Sequence, residues 1–390
     1  MSRALDEPRR GRAKPFVLLW LTGLSLRITL LSVPPLLLRI RSSLELSNAE
    51  VAALTTLPLL LFSVAATLGS GIVSFVGARR TLIAGLTLAA AAAALRGAQT
   101  SAVVLFGFTF VMGLGIAAVQ PAVPALVQSW VPRSIARATA TYVNGVLVAE
   151  AVAASLTPVL LTVLGSWEAT LAVWAAPVVV TVVLVAALTG ENPQPVRERV
   201  RWIPSWNEGL TWQLGAVQAA ASVAYFGSNA LLPVFLAEHG REDLVGLSLG
   251  VLNTSQLLAS VVVAALPLAI SAGRKVLVLN GTAIAAAAVA VVVEPGLAVL
   301  WSAVIGFCSA IVFTVSLALP AALASGREVA RLAAGMLTIG YGCAFLLPLA
   351  GGALLDSTGA PWTALTPVVV AGLGAMVVGG VAAHTRELDP

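Results

Sequence analysis

The chain has 390 residues, of which 59% are hydrophobic and only 10% are charged, and its net charge is +5. Soluble domains carry about 25% charged residues, so these charges are too few to cover a water-facing surface. The basic residues stand in short clusters between apolar runs, which argues against a nucleic-acid-binding surface and indicates a membrane protein. Cys308 and Cys343 lie in apolar runs, and His239 and His384 are far apart, so neither a disulfide framework, a metal site nor a cofactor is predicted.

Twelve runs of the chain are long and apolar enough to cross a bilayer, which takes about 20 residues for a helix. The first run starts at residue 16 and has no small-residue cleavage site at its end, so it is predicted to be an uncleaved span rather than a signal peptide. The predicted spans are 16–38, 50–75, 81–97, 102–128, 137–163, 168–189, 212–237, 245–270, 275–293, 297–324, 330–354 and 362–384.

The distribution of basic residues predicts the orientation of these spans. With a cytoplasmic N-terminus, 17 of the 22 Lys and Arg residues fall in cytoplasmic segments. The opposite side receives Arg39, Arg41, Arg96 and Arg241, and Arg27 lies within the first span. This asymmetry predicts a multi-pass protein of the cytoplasmic (inner) membrane with both termini in the cytoplasm.

The longest polar segment, residues 190–211, separates the first six predicted spans from the last six. The two halves resemble each other, because a short basic loop follows the second span of each, at residues 77–80 and at residues 272–275. Such an internal repeat is typical of transporters. The sequence therefore predicts an all-α membrane protein with an N-terminal six-helix bundle (1–189), a cytoplasmic linker (190–211) and a C-terminal six-helix bundle (212–390).

Two charged residues are predicted to lie deep in the membrane. Arg27 follows Lys14 by thirteen residues, about 20 Å of helix, and Glu150 follows Arg137 by the same number. A lone charge at that depth costs at least about 2.5–3.5 kcal/mol, so we expect Arg27 and Glu150 to meet, directly or through a solute. Arg27 is a candidate to bind solute, and Glu150 is a candidate proton carrier or counter-ion. A purely structural ion pair is the alternative for both.

Polar side chains on other spans are further candidates to bind a solute. Gln218, Ser222, Tyr225 and Asn229 form a stripe on span seven, and a similar stripe follows on span eight. Stripes of this kind line a water-filled cavity or form hydrogen bonds between helices, and both alternatives stay open. The candidate solute-binding residues are Arg27, Gln120, Tyr142, Asn144, Tyr225, Asn229, Asn253, Gln256 and Tyr341.

The motifs of several protein classes do not occur in the sequence. It contains no phosphate-binding loop, no paired catalytic carboxylates and no nucleophile elbow, so neither an ATP-driven motor nor an enzyme is predicted. The predicted function is secondary transport of a small polar or anionic solute by a monomer in the lipid bilayer. Efflux of hydrophobic drugs is one alternative, and a channel or a non-transporting sensor is another.

Three stretches of the sequence, at residues 26–63, 113–127 and 340–362, resemble one known group of transporters. They are similar to the major facilitator superfamily and, within it, to the cyanate/2-nitroimidazole transporter family (CynX/NimT). The resemblance implies a twelve-helix fold that works by alternating access, and it suggests nitroaromatic compounds for the efflux alternative.

The same resemblance makes Arg27 the family's arginine of helix one, Tyr142 its tyrosine of helix five and Tyr341 part of its Gly-Tyr pair of helix eleven. Glu150 stands where the family usually has a small residue, and Gln120 stands where it commonly has Asn. Because of these departures, neither cyanate nor nitroimidazole is predicted as the substrate.

Overall fold

The structure is a computed structural model that describes residues 9–98, 101–190, 204, 206–265, 273–324 and 327–385. Within these ranges, twelve helical segments are long and apolar enough to cross a membrane, which confirms the predicted number of spans. The described α-helices are α1 (Arg9–Leu31), α2 (Leu37–Leu44), α3 (Asn48–Val76), α4 (Ala78–Arg96), α5 (Ala102–Val119), α6 (Ala122–Trp130), α7 (Ile135–Leu164), α8 (Trp167–Val173), α9 (Ala175–Leu188), α10 (Gly209–Glu238), α11 (Val245–Ala265), α12 (Gly273–Val293), α13 (Ala298–Leu323), α14 (Arg327–Thr358) and α15 (Thr366–Thr385).

Successive spans run in opposite directions and define two faces of the molecule. We call the side on which α1 begins the near face and the side on which α2 ends the far face. Most of the predicted linker, residues 191–203 and 205, lies outside the described residues.

The first span bends where two prolines follow α1. Pro34 and Pro35 start a short 3-10 segment, Pro34–Leu36, and the span continues in α2, six residues past its predicted end at residue 38. Proline has no N–H and cannot continue a helical hydrogen-bond ladder. The Val33 N–H donates to the Leu30 carbonyl instead, over 3.3 Å, and the Thr29 carbonyl is left without its helical partner.

Close helix contacts place α1 directly against α7. A Cβ atom on Gly23 would overlap the Tyr142 carbonyl oxygen, and a Cβ atom on Gly145 would overlap the Trp20 carbonyl oxygen. Small residues of this kind let the backbones of membrane helices approach each other. The arrangement brings the functional candidates of α1 and α7 to one place.

Three helix pairs make the most extensive contacts between the first six spans and the last six. The helix α3 packs along α14 and, less extensively, against α10, while α7 packs against α11. The most apolar stretch of α10 is buried along its whole length. Large apolar side chains such as Val163, Leu279 and Val293 are exposed at the periphery, as expected for a surface that faces lipid.

A carboxylate fastens α14 to the first turn of α3 at the far face. The Oδ1 atom of Asp356 accepts hydrogen bonds from the Asn48 N–H (3.0 Å) and from Asn48 Nδ2 (2.7 Å), and Oδ2 accepts one from the Ala49 N–H (2.9 Å). We call these three residues the far-face latch. A second contact nearby joins Arg41 Nη1 to Glu238 Oε1 over 3.2 Å. Both contacts connect the first six spans to the last six.

Candidate functional site

Arg27 lies in the middle of the molecule and is almost completely buried. Its Nε atom is 3.5 Å from Oε1 of Glu150, and its Nη2 atom donates to the Tyr341 hydroxyl over 3.5 Å. Its third nitrogen, Nη1, is buried and has no hydrogen-bond partner among the described residues. The structure thus brings together the two charges that the sequence placed deep in the membrane, and it places Tyr341, one of the candidate residues, beside them.

Two aromatic rings flank the guanidinium of Arg27. Its Cζ atom is 5.4 Å from the centre of the Phe62 ring and 5.5 Å from the centre of the Phe226 ring. Cations are attracted to aromatic faces at such distances. The Phe62 ring also meets the Tyr341 ring edge to face, with centroids 5.6 Å apart. These two phenylalanines were not among the predicted candidates, because Phe in an apolar run gives no sequence signal that separates it from lipid-facing or packing residues.

The carboxylate of Glu150 has partners in both halves of the molecule. Its Oε1 atom faces Arg27 on α1, and its Oε2 atom accepts a hydrogen bond of 3.1 Å from Gln256 on α11. The hydroxyl groups of Tyr142 and Tyr225 are close enough to interact electrostatically with the same carboxylate. Five of the predicted candidates and the predicted counter-ion therefore share one site, which we call the central site: Arg27, Tyr142, Tyr225, Gln256, Tyr341 and Glu150.

Asn229 and Asn253 form a buried hydrogen-bond loop beside the central site. The Tyr225 hydroxyl donates to Asn253 Oδ1, Asn253 Nδ2 donates to Asn229 Oδ1 over 3.0 Å, and Asn229 Nδ2 donates to the Tyr225 carbonyl over 3.0 Å. Both asparagines are fully buried. Their hydrogen bonds tie α10 to α11, so they hold Tyr225 in place.

The Gln218 end of the span-seven stripe forms hydrogen bonds that connect neighbouring helices. Gln218 donates to Ser222 over 3.1 Å and accepts from Ser316 of α13 over 2.6 Å. Of the two alternatives for this stripe, hydrogen bonding between helices thus describes its Gln218 end, whereas its Tyr225 end reaches Glu150.

Two predicted candidates lie away from these contacts. Asn144 is exposed, and its Oδ1 accepts a hydrogen bond of 2.9 Å from Trp20 Nε1, which ties α7 to α1. Gln120 is partly exposed at the C-terminal end of α5 and, within the described residues, forms no hydrogen bond or ion pair with Arg27 or Glu150. A solute-binding role for either residue stays a prediction.

Arg96, which the distribution of basic residues placed at the outer end of predicted span 81–97, is buried inside the molecule. Arg96 ends α4, its side chain is fully buried, and its Nη2 atom donates to the Thr29 carbonyl over 2.8 Å. Arg27 and Glu150 are therefore not the only buried charges in the described residues. A basic residue at the end of an apolar run is typical of a loop, and the sequence alone does not show that the broken end of α1 packs against it.

Clustered metal ligands are not found in the part of the chain that the structure describes. No group of three or more His, Cys, Asp or Glu side chains there is placed to hold a metal ion. The chemistry that the central site offers is recognition, through buried hydrogen-bond donors, one carboxylate and aromatic rings, rather than bond making or breaking.

The chain belongs to the major facilitator superfamily, because the family model described as Major Facilitator Superfamily matches residues 16–273. It is 28% identical over 371 residues to the 2-nitroimidazole transporter of Escherichia coli (strain K12). The match covers 93% of this chain and 94% of that relative. The chain is also 28% identical over 232 residues to the cyanate transport protein CynX of the same organism, which covers 57% of this chain and 59% of that relative.

Two solved structures show the same fold. The nucleoside transporter NupG matches with a TM-score of 0.72 and 12% sequence identity, over 95% of this chain and 99% of the other. A bacterial homolog to the human lysosomal transporter Spinster, in an inward-facing and unoccupied conformation, matches with a TM-score of 0.69 and 16% identity, over 98% and 97% of the two chains. The chain is thus a multi-pass membrane transporter of solutes with the major facilitator fold, similar to the CynX/NimT group, and it is not an enzyme.

Proposed function

We propose that the chain is a secondary active transporter that moves a small polar or anionic solute across the cytoplasmic membrane by alternating access. The observation that carries the proposal is the buried contact of Arg27 and Glu150 at 3.5 Å, with Tyr341 and Gln256 of the last six spans as additional partners. A charged site built by both halves changes its geometry whenever the halves move relative to each other. Such a site near the midplane, between two repeats, is the arrangement that alternating access requires.

The donors of Arg27 favour a solute with oxygen acceptors. A guanidinium binds paired oxygens through a fixed fork of N–H groups, and the Nη1 atom of Arg27 has no protein partner among the described residues. Because Glu150 balances the charge of Arg27, the site suits a neutral or zwitterionic solute as well as an anion. The Phe62 and Phe226 rings favour a flat solute, which they can cover on its apolar faces.

Glu150 is the group that we propose to couple transport to protons. It is buried between Arg27 and Gln256, so adding a proton removes one charge from the central site and weakens the hold on Arg27. A released Arg27 has more donors for the solute. Proton uptake and solute binding are then linked through one carboxylate.

The same proposal includes the organisation of the chain in the membrane. Residues 1–189 and 212–390 form the two moving bundles, residues 190–211 are the linker, and both termini lie in the cytoplasm. The basic clusters that flank the spans support this orientation. The transporter works as a monomer whose partners are its solute and the lipid bilayer.

Efflux of nitroaromatic compounds is the second candidate. Its specific support is the pair of rings around Arg27, since a nitro group offers two acceptor oxygens on a flat ring. The similarity to a relative named as a 2-nitroimidazole transporter points in the same direction.

Binding and flux measurements on the purified protein test the proposal. Ligand stabilisation is screened first with 2-nitroimidazole, cyanate, small anions and aromatic acids, and each hit is followed in proteoliposomes. We expect saturable flux with counterflow from the opposite side, and we expect Arg27→Ala to reduce that flux at least about tenfold. Arg39→Ala, at an exposed arginine of α2, is the control and keeps normal flux. Flux that does not saturate and shows no counterflow would identify a channel.

A further inference from the structure

We propose that Arg96 is a positioning residue of the central site, which holds the broken end of α1 so that Arg27 keeps its contacts with Glu150 and Tyr341. This inference rests on the proposed function, because it gives Arg96 a role at the same site. Arg96 itself contacts neither Glu150 nor Tyr341 among the recorded hydrogen bonds and ion pairs of the described residues.

Arg96 binds a backbone carbonyl that the bend after α1 leaves without its helical partner. The Val33 N–H, which would bond to the Thr29 carbonyl in a continuous helix, bonds to the Leu30 carbonyl instead. The Thr29 carbonyl therefore needs other donors. It receives Ser32 Oγ over 3.0 Å and Arg96 Nη2 over 2.8 Å. The partial negative charge at the C-terminal end of a helix attracts a cation, so a guanidinium is a suitable donor there.

Burying the Arg96 side chain has a cost in free energy. The side chain has no exposed surface, and its Nε and Nη1 atoms have no hydrogen-bond partner within the described residues. A buried donor without a partner is unfavourable, so an apolar residue would stabilise this position more if packing were its only role. What Arg96 supplies is one charge-assisted bond to the end of α1.

The end of α4 that carries Arg96 is held in place by close packing against α8. The next residue, Gly97, lies so close to α8 that a Cβ atom there would overlap the carbonyl oxygen of Glu168. Backbone contact at this distance leaves the C-terminal end of α4 little room to shift. Arg96 can therefore hold the last turn of α1 against a stationary neighbour.

The contacts of Arg27 with Glu150 and Tyr341 are sensitive to the position of α1. Thr29 and Arg27 belong to the same helical turn, so a movement of one moves the other. Both polar contacts of Arg27 measure 3.5 Å, the outer limit for a hydrogen bond. A displacement of α1 by a few tenths of an ångström decides whether they are made.

A stability cycle that needs no solute tests this inference on the full-length protein. The unmodified protein, Arg27→Gln, Glu150→Gln and the double variant give the coupling of the two residues, as the non-additive part of the shifts in unfolding midpoint. The same four proteins are then measured with Arg96→Gln added. We expect the coupling to fall by at least about half, because the two side chains no longer meet in a fixed geometry. An unchanged coupling in the folded variants overturns the inference.

Two further variants separate positioning from folding. Arg96→Lys keeps one donor for the Thr29 carbonyl and should retain most of the coupling, whereas Arg39→Gln, at an exposed arginine of the far face, should leave it unchanged. An equal loss with Arg39→Gln contradicts the inference.

If Arg96→Gln does not fold, the cycle is repeated with Pro34→Ala and Pro35→Ala, which allow a continuous helix in which the Val33 N–H bonds to the Thr29 carbonyl. There Arg96→Gln should fold and keep the coupling. Failure to fold on both backgrounds shows a folding role and overturns the inference. The proposed function is tested separately, by flux in Arg27→Ala, so either can fail alone.

Discussion

The guanidinium of Arg27 meets a carboxylate, a hydroxyl and two aromatic rings within a single site. Each neighbour comes from a different helix, α7, α14, α3 and α10, so contacts between helices hold the charge in the interior of the molecule. In hydrocarbon, neither Arg27 nor Glu150 is stable as an isolated ion. Their contact therefore serves stability, and the Nη1 donor, which has no partner among the described residues, is the one that the proposed function assigns to the solute.

Removing one charge of this pair and removing both should have different effects. Arg27→Met leaves Glu150 buried without its counter-ion and should lower the free energy of unfolding by about 3–5 kcal/mol. Arg27→Met with Glu150→Met should recover most of that loss, since an apolar pair of similar volume needs no compensation. Transport should stay absent in both variants. Thermal unfolding in detergent and flux in proteoliposomes measure the two properties.

The double variant decides between a structural pair and a solute-binding pair. If Arg27→Met with Glu150→Met is stable and still transports, the pair serves stability alone and the proposed role of Arg27 is wrong. Arg41→Met with Glu238→Met is the matched control, because that ion pair is partly exposed and should contribute little to stability.

At the scale of single residues, the sequence predicts charges far better than aromatic neighbours. Arg27 and Glu150 are conspicuous because a charge inside an apolar run must have a partner. Phe62 and Phe226 are invisible, since apolar residues occur all around a membrane helix. The burial of Arg96 was not predicted, because it depends on how α1 bends toward α4, which is a tertiary property.

At the scale of helices, glycine determines how closely α1 and α7 approach. A Cβ atom on Gly145 would overlap the Trp20 carbonyl oxygen, whereas a Cβ atom on Gly107 of α5 would have no neighbouring atom within 4 Å. Gly145→Ala should push the two helices apart and cost about 1–3 kcal/mol. Gly107→Ala, by contrast, should be neutral or stabilise the protein by up to about 1 kcal/mol, because Ala favours the helix. Thermal unfolding of both variants checks the difference, and equal shifts would contradict the close contact.

The far-face latch should control access to the molecule from the far side. The Asp356 carboxylate accepts two backbone N–H groups at the start of α3, a favourable position for a negative charge. Asp356→Asn should lower the free energy that favours a closed far face by about 1 kcal/mol. The fraction of molecules with an open far face should then rise about fivefold. Thr55 is a buried residue of α3, about two helical turns from the latch residue Asn48. Labelling of Thr55→Cys by a membrane-impermeant maleimide, with Cys308 and Cys343 changed to Ser, reports this opening.

The control for the latch is another acidic residue on the far face. Asp243 is exposed and pairs only with Arg241 of its own loop among the recorded ion pairs of the described chain, at 3.4 Å. Asp243→Asn should therefore leave the labelling rate of Thr55→Cys unchanged. Faster labelling with both variants would point to a general effect of far-face charge rather than to the latch.

The helices themselves follow from length and polarity, since about 20 apolar residues are needed to cross a bilayer. The bend after α1 can be predicted from Pro34 and Pro35, but the contact that the bend creates with Arg96 cannot. The freed Thr29 carbonyl acquires Arg96 as its partner only in the packed molecule. The position of Asp356 at the first turn of α3 likewise depends on the pairing of α3 with α14, which sequence patterns do not specify.

At the scale of the whole molecule, Glu150 is bonded to one residue in each half. Arg27 belongs to the first six spans and Gln256 to the last six, so the charge of this carboxylate bears on how the halves meet. Glutamine at position 150 imitates the protonated carboxyl group in shape and charge. A transporter that takes up a proton at this position should therefore lose its response to pH when Glu150 is replaced by Gln.

The expected result is a flat pH dependence of flux in Glu150→Gln. In the unmodified protein, an imposed pH gradient should change solute flux by about fivefold or more, whereas Glu150→Gln should exchange solute at a rate that the gradient does not alter. Proteoliposomes loaded at different internal pH provide the measurement, and Glu168→Gln, outside the central site, is the control. A pH gradient that drives Glu150→Gln as strongly as the unmodified protein assigns proton coupling to another group.

The position of Asp356 has one more consequence, which concerns how gradually the molecule can close. Only the first turn of a helix has unbonded N–H groups, because those further along are committed to the helix itself. Asp356 can thus engage α3 at a single axial register. A slip of one helical turn, about 5.4 Å, would break all three hydrogen bonds together. In the proposed transport cycle, closure of the far face is therefore expected to be all-or-none, with no stable half-closed position between α3 and α14.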